Sequence, residues 1–156
     1  MTTVFGNRLR LLIAALYVVL AVIYALTPPI FEKPDEDRHF AFALNLARGN
    51  ELPSQSANDQ TEWEQAGSQP PLFYGLASLV IRATGASDWE AQIRPNAVIR
   101  YDPYYPGAKN KLLITPEKTA FNYRETTLAA IIIRLLGLLP GALTVWLGFD
   151  IAFWLT

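Results

Sequence analysis

Leu11 to Thr27 reads LLIAALYVVLAVIYALT and carries no charge at all. At about 1.5 Å per residue, this run covers most of a hydrocarbon core about 30 Å thick. A backbone crossing lipid must satisfy its polar groups internally, so a run of this kind is restricted to helix. Thr126 to Thr156 repeats the pattern and carries only Arg134 and Asp150. Between the two runs lie almost a hundred residues that carry most of the chain's charge. The fold class expected is therefore mainly α and integral to a membrane, with two transmembrane helices flanking a large loop.

The apolar part of the first run is longer than the usual h-region of a secretory signal, and its exit is Thr-Pro-Pro, not a small-x-small cleavage site. It is read as an uncleaved span. Arg8 and Arg10 sit directly before it, which keeps residues 1–10 in the cytoplasm by the positive-inside rule. The expected order is a cytoplasmic 1–10, a first span at 11–27, an extracytoplasmic loop at 28–125 and a second span at 126–156. That is a multi-pass protein of the plasma (inner) membrane. Charged residues make up 17% of the chain, and the formal net charge is −1. Nucleic acid as a partner is thereby excluded, because it needs a basic face. With no cysteine, the loop has no disulfide to hold it.

Within the loop, Asp35 to Arg48 has the marks of a helix. Pro34 and the acids occupy its first turn, Phe40, Ala43, Leu44 and Ala47 form one apolar stripe, and Arg48 with Gly49 supplies the stop. Leu52 to Ser68 has no period and reads as loop. Pro70 to Thr84 (PPLFYGLASLVIRAT) is apolar but too short to span. It opens on proline, closes at Gly85, and aligns Leu72, Leu76, Leu79 and Val80 with Phe73. It fits an interfacial juxtamembrane helix lying on membrane lipid, or else a core helix of a small soluble subdomain. Residues 94–111 carry the prolines and tyrosines of an irregular loop, with a small hairpin expected near Val98 and Leu112 to Ile114. Pro140 lies inside the second run and is expected to bend it.

The chemistry-bearing stretch is KPDEDRHF, residues 33–40, just past the first span. It has three readings. The acids cap a helix. Alternatively, Asp35 or Glu36 with His39, at helical spacing, ligates a divalent metal. Or one carboxylate is a base that activates a hydroxyl. Arg134 is either a partner for a lipid-linked phosphate or for Asp35 or Glu36, or a side chain snorkelling to the interface. Asp150 is read as terminating the second span near the inner face.

Taken in order, KPDEDRHFAFALNLARGNELP (33–53), EQAGSQPPLFYGLASLVIRATG (64–85) and IIRLLGLLPGALTVWLGFDIA (132–152) resemble the start of a GT-C fold glycosyltransferase. The likeness is to the polytopic protein-mannosyltransferase-like and aminoarabinose-transferase-like enzymes of bacteria. It spans nearly the whole chain but only a fraction of such an enzyme, so the chain is expected to be a fragment of a GT-C-like bundle. The resemblance implies transfer of a sugar from a polyprenyl-phosphate carrier to an acceptor glycan, lipid or protein outside the cytoplasm. Asp35 matches the family's catalytic carboxylate, and Glu36 the second acid. Arg134 resembles the basic residue near the donor phosphate. Gln69, Pro70, Pro71 and Tyr74 match a Pro-Pro motif, with departures at Gln69, where histidine is frequent, and Phe73, where tyrosine is. Candidate substrate-binding residues are thus His39, Arg134, Gln69 and Tyr74. No cofactor is implied beyond the divalent metal that Asp35, Glu36 and His39 leave open.

A second function class is a non-catalytic, membrane-anchored module that binds an envelope component or a partner protein. A transporter segment is disfavoured by the large acidic insert and the lack of a repeated half.

Overall fold

The computed structural model describes residues 2–53, 61–93 and 125–154. Their elements are α1 (Thr2–Leu26), α2 (Glu36–Ala47), a 3-10 helix (Glu64–Ser68), α3 (Pro71–Thr84), the single turn α4 (Trp89–Gln92), α5 (Glu125–Leu136) and α6 (Leu138–Trp154). Among the described residues there is no strand. The hairpin expected near Val98 and Leu112 to Ile114, and the loop at 94–111, lie outside them. The chain divides into two compact units, one of Met1–Thr27 with Arg134–Thr156, the other of Pro28–Ile133.

In the first unit, α1 and α6 run antiparallel. Arg10 meets Asp150 and Tyr17 meets Gly141, and Arg134, near the end of α5, continues the pairing by meeting Ala25. The paired numbers sum to nearly the same value each time, which is the signature of two helices sharing one register in opposite directions. Gly141 is required by the close approach: a Cβ there would stand 1.8 Å from the Tyr17 hydroxyl. Two stretches, Gly6–Leu26 and Glu125–Ala152, are long and apolar enough to cross a membrane. Leu11, Leu12, Leu16 and Leu20 on α1, and Leu139, Leu143 and Leu147 on α6, are all exposed. A helix apolar on its outer face as well as its inner one suits a lipid solvent.

Two details differ from the sequence expectation. α1 begins at Thr2, so Arg8 and Arg10 lie inside the helix and not ahead of it. Arginine is a good helix former, and nothing in the preceding residues stops the helix. The second apolar run is also not one continuous helix: it is interrupted at Gly137, between α5 and α6. Pro140 then falls in the first turn of α6, where its missing N–H costs no hydrogen bond.

The second unit is built on α2 packed against α3. Its core is Phe31, Phe40, Phe42, Leu44, Tyr74, Ala77, Ile81 and Trp89, joined by Ala129 and Ala130 of α5. Phe31 sits edge-on to Phe40 and to Trp89, at 5.3 and 5.2 Å between centroids, while Phe40 stacks on Trp89 at 5.0 Å. Aromatic pairs in these arrangements add about 0.5–1.5 kcal/mol each beyond area burial. The expected single stripe on α2 is too narrow a description: Phe40 through Asn45 are all buried, because neighbours cover the helix on more than one side.

α2 ends where Arg48 and Gly49 are. Gly49 adopts φ 87, its N–H bonds Leu46 O at 3.0 Å, and Asn50 N–H bonds Asn45 O at 3.3 Å, the paired bonds of a Schellman stop. Arg82 from α3 completes this end, donating from Nε to Ala47 O and from Nη2 to Leu46 O, both at 3.0 Å. A guanidinium on the last carbonyls of a helix satisfies orphan acceptors and complements the macrodipole. Leu52 to Ser68 is also not wholly irregular, since Glu64–Ser68 forms the 3-10 helix.

Candidate functional site

α1 ends at Leu26, and the chain reaches Asp35 through two tight turns, in which Glu32 N–H bonds Pro29 O at 3.4 Å and Glu36 N–H bonds Lys33 O at 3.2 Å. Asp35 occupies the left-handed region, φ 57 and ψ 10, directly ahead of α2. Aspartate tolerates this region better than most residues. Its side chain makes no cap hydrogen bond. Instead its carboxylate pairs with Arg38, whose Nε also reaches Glu64 Oε2 at 3.1 Å. Partial burial alone would lower the Arg38 pKa, but the carboxylates of Glu64 and Asp35 outweigh it and raise the pKa above its ordinary value. Arg38 thereby ties the N-terminal turn of α2 to the 3-10 helix.

Glu36 turns the other way. Its Oε2 accepts the Phe31 N–H at 2.8 Å, closing the loop that leads into α2. Phe31 itself is at φ 63, a conformation a bulky residue rarely adopts. The carboxylate and the aromatic core together hold it there. His39 faces a third partner: its Nδ1 lies 2.7 Å from the Tyr74 hydroxyl, and the two rings stack at 5.9 Å. Tyr74 is buried against Phe42, at 4.3 Å between centroids. Burial pushes its phenol above the ordinary tyrosine range.

The structure thus brings His39 of α2 against Tyr74 of α3, 35 residues away in the chain. The three candidate metal ligands have diverged to separate partners, Asp35 to Arg38, Glu36 to Phe31 and His39 to Tyr74. Among the described residues no group of three His, Asp or Glu side chains is placed to hold a metal ion. Gln69 caps the 3-10 helix through its backbone N–H to Ala66 O at 3.1 Å, and it is exposed. Arg134 belongs to the other unit, where Nη1 donates to Ala25 O at 2.8 Å, on the last turn of α1. That contact gives an arginine in an apolar run a reason other than snorkelling or binding phosphate.

One cluster escaped the sequence reading. Asp88 Oδ1 accepts the Thr126 N–H at 3.1 Å, and Oδ2 accepts from Gln92 Nε2 at 3.0 Å. Glu125 Oε2 accepts from the Ser87 N–H at 3.0 Å and from the Ser87 hydroxyl. The start of α5 is therefore capped by a carboxylate from a segment 38 residues away. Burial would raise the Asp88 carboxyl, but the hydrogen bonds from Thr126 and Gln92 prevail and hold it below its ordinary value. The Ser87-Asp88-Trp89-Glu90 pattern announces a local cap only. Nothing in it points to Thr126.

No family model, no curated protein and no solved structure matches this chain.

Proposed function

We propose that the chain is the membrane-anchored, acceptor-activating part of a glycosyltransferase that uses a polyprenyl-phosphate sugar. The observation that carries this reading is the 2.7 Å contact of His39 with Tyr74. It joins the acidic stretch 33–40 to the Pro-Pro motif 69–74, the two motifs on which the resemblance to GT-C enzymes rests. In this reading the two apolar stretches cross the membrane, the N-terminus is cytoplasmic, and the loop at 28–125 is on the opposite side. Asp35 then sits a few residues beyond the lipid, where a carrier's headgroup meets water. A carboxylate there accepts the proton of an acceptor hydroxyl as that oxygen attacks the sugar.

α3 supports the same placement. Its inner face, Tyr74, Ala77, Ser78 and Ile81, is buried, while Leu72, Leu76 and Leu79 are exposed at 79%, 46% and 58%. An exposed ridge of leucine suits the boundary between headgroups and acyl chains. The test is Asp35→Asn in the natural protein. Membrane insertion stays intact and sugar transfer from the carrier lipid is lost; full transfer by the variant rejects Asp35 as the activating carboxylate.

A second reading is favoured by the Arg38 contacts. Asp35 and Glu64 share one arginine, an arrangement complete without any ligand. On that reading the unit is a non-catalytic module presented by two membrane helices, and Asp35→Asn changes stability alone.

A further inference from the structure

We propose that Tyr74 is a positioning residue that fixes His39 as its Nε2–H tautomer, so that the imidazole offers the site a hydrogen-bond donor and not a base. The proposal rests on the transferase reading only for the ligand; the tautomer follows from the geometry.

Tyr74 is 6% exposed as a residue, and among the described residues the one hydrogen-bond partner of its hydroxyl is His39 Nδ1 at 2.7 Å. A buried O–H requires an acceptor. If Nδ1 carried the proton, two donors would face each other, or the phenol would have to turn its proton to where, among the described residues, no acceptor stands. The phenol keeps its proton, since burial disfavours the phenolate. Nδ1 is then the acceptor, and a neutral imidazole bears its single hydrogen on Nε2. Ring packing fixes the pair further: Tyr74 stacks on His39 with 23° between planes and is braced by Phe42 and Phe73. His39 itself is exposed, so the nitrogen not held by Tyr74 is the one available to a ligand.

The chemical consequence is a division of labour between Asp35, directly ahead of α2, and His39 in its first turn. His39 lies one turn from Asp35, whose backbone oxygen accepts its N–H at 3.0 Å. Asp35 offers an acceptor and His39 a donor. That pairing complements a hydroxyl group, which donates to the one and accepts from the other. The proton of an attacking hydroxyl therefore goes to the carboxylate, because the exposed nitrogen of His39 has no lone pair to take it. The ligand class is a sugar or another polyol.

The chain has one histidine, so its imidazole gives a single pair of nitrogen resonances. The experiment is 15N NMR of the labelled full chain in detergent at pH about 8.5, well above an ordinary histidine pKa of about 6.5. The wild type shows a bare Nδ1 and a protonated Nε2. In Tyr74→Phe, which keeps the ring and removes the hydroxyl, the two resonances move toward each other as the tautomers exchange. A protonated Nδ1 in the wild type overturns the proposal, as does a folded Tyr74→Phe with unmoved resonances. A second measurement needs no variant: the Tyr74 hydroxyl proton shows scalar coupling to His39 Nδ1, and a hydroxyl proton visible without that coupling also overturns it. Neither readout depends on sugar transfer, so the tautomer and the transferase reading stand or fall separately.

Discussion

Arg10 donates to the Asp150 carboxylate at 2.6 Å while its guanidinium lies 4.0 Å from the centre of the Trp146 ring. Asp150 is therefore more than a span terminator. An unpaired charge within an apolar stretch long enough to cross a membrane is costly, though less so toward its end, where Arg10 and Asp150 both lie. Here the acid and the base of two antiparallel helices answer each other, and the aromatic face shares the cation.

The pair predicts a measurable coupling. A double-mutant cycle of Arg10→Gln and Asp150→Asn, followed by thermal unfolding in detergent, is expected to give an interaction of about 1 kcal/mol, at the upper end for partly exposed pairs. Additive losses would remove the pair from the account of the hairpin.

Gly141 makes a second prediction about the same helices. Gly141→Ala drives a methyl into the Tyr17 ring and is expected to cost about 1–3 kcal/mol, the range for overpacking. In a Tyr17→Ala background the penalty disappears. An equal penalty in both backgrounds would show that the glycine serves something other than close approach.

Asp88 predicts a pH dependence. Its carboxyl is held below its ordinary value in the folded chain, so its stabilising effect is complete above the unfolded pKa of about 3.9 and is lost as pH falls through the lower folded pKa. Asp88→Ala removes the cap on α5 and is expected to cost about 1 kcal/mol near neutral pH. Unfolding curves from neutral to strongly acidic pH should show the wild type and Asp88→Ala converging at the acid end. Parallel curves would exclude the carboxylate as the cause.

Arg82 predicts a side-chain preference. Arg82→Met leaves the Ala47 carbonyl without its side-chain donor and Leu46 O with the Gly49 N–H alone, and is expected to lower stability by about 1 kcal/mol. Arg82→Lys recovers only part of this, because an ammonium lacks the planar fork that reaches two carbonyls at once. Lysine as good as arginine would reduce the contact to charge alone.

Local signals were legible in the sequence wherever the cause was local. The apolar runs, Gly49 at the end of α2, and Pro71 and Gly85 at the ends of α3 each act within a turn of chain. Asp35, expected as a cap ahead of α2, makes no side-chain cap hydrogen bond and pairs with Arg38 instead. What was not legible depends on distance along the chain. Asp88 caps Thr126, Arg38 reaches Glu64, and Arg82 covers the end of α2, and no period or motif encodes such meetings. Arg134 was open to several readings for the same reason, since its acceptor is the backbone of Ala25, a group that every residue possesses. The interruption at Gly137 was missed because the proline beyond it drew attention to a bend, when Pro140 serves as part of a new first turn. The approach of His39 to Tyr74 lies between these cases, because each belonged to a recognisable motif while their contact could be found only in the fold.

The account turns on which side of a membrane the α2–α3 unit occupies. The chain has no cysteine, so Asp37→Cys supplies a unique thiol beside the candidate carboxylate. In intact cells a maleimide that does not cross the bilayer is expected to label it from outside, while Thr3→Cys at the N-terminus is labelled only after the cells are opened. Protection of position 37 from outside together with labelling from the cytoplasmic side would contradict the proposed topology, and the enzymology built on it.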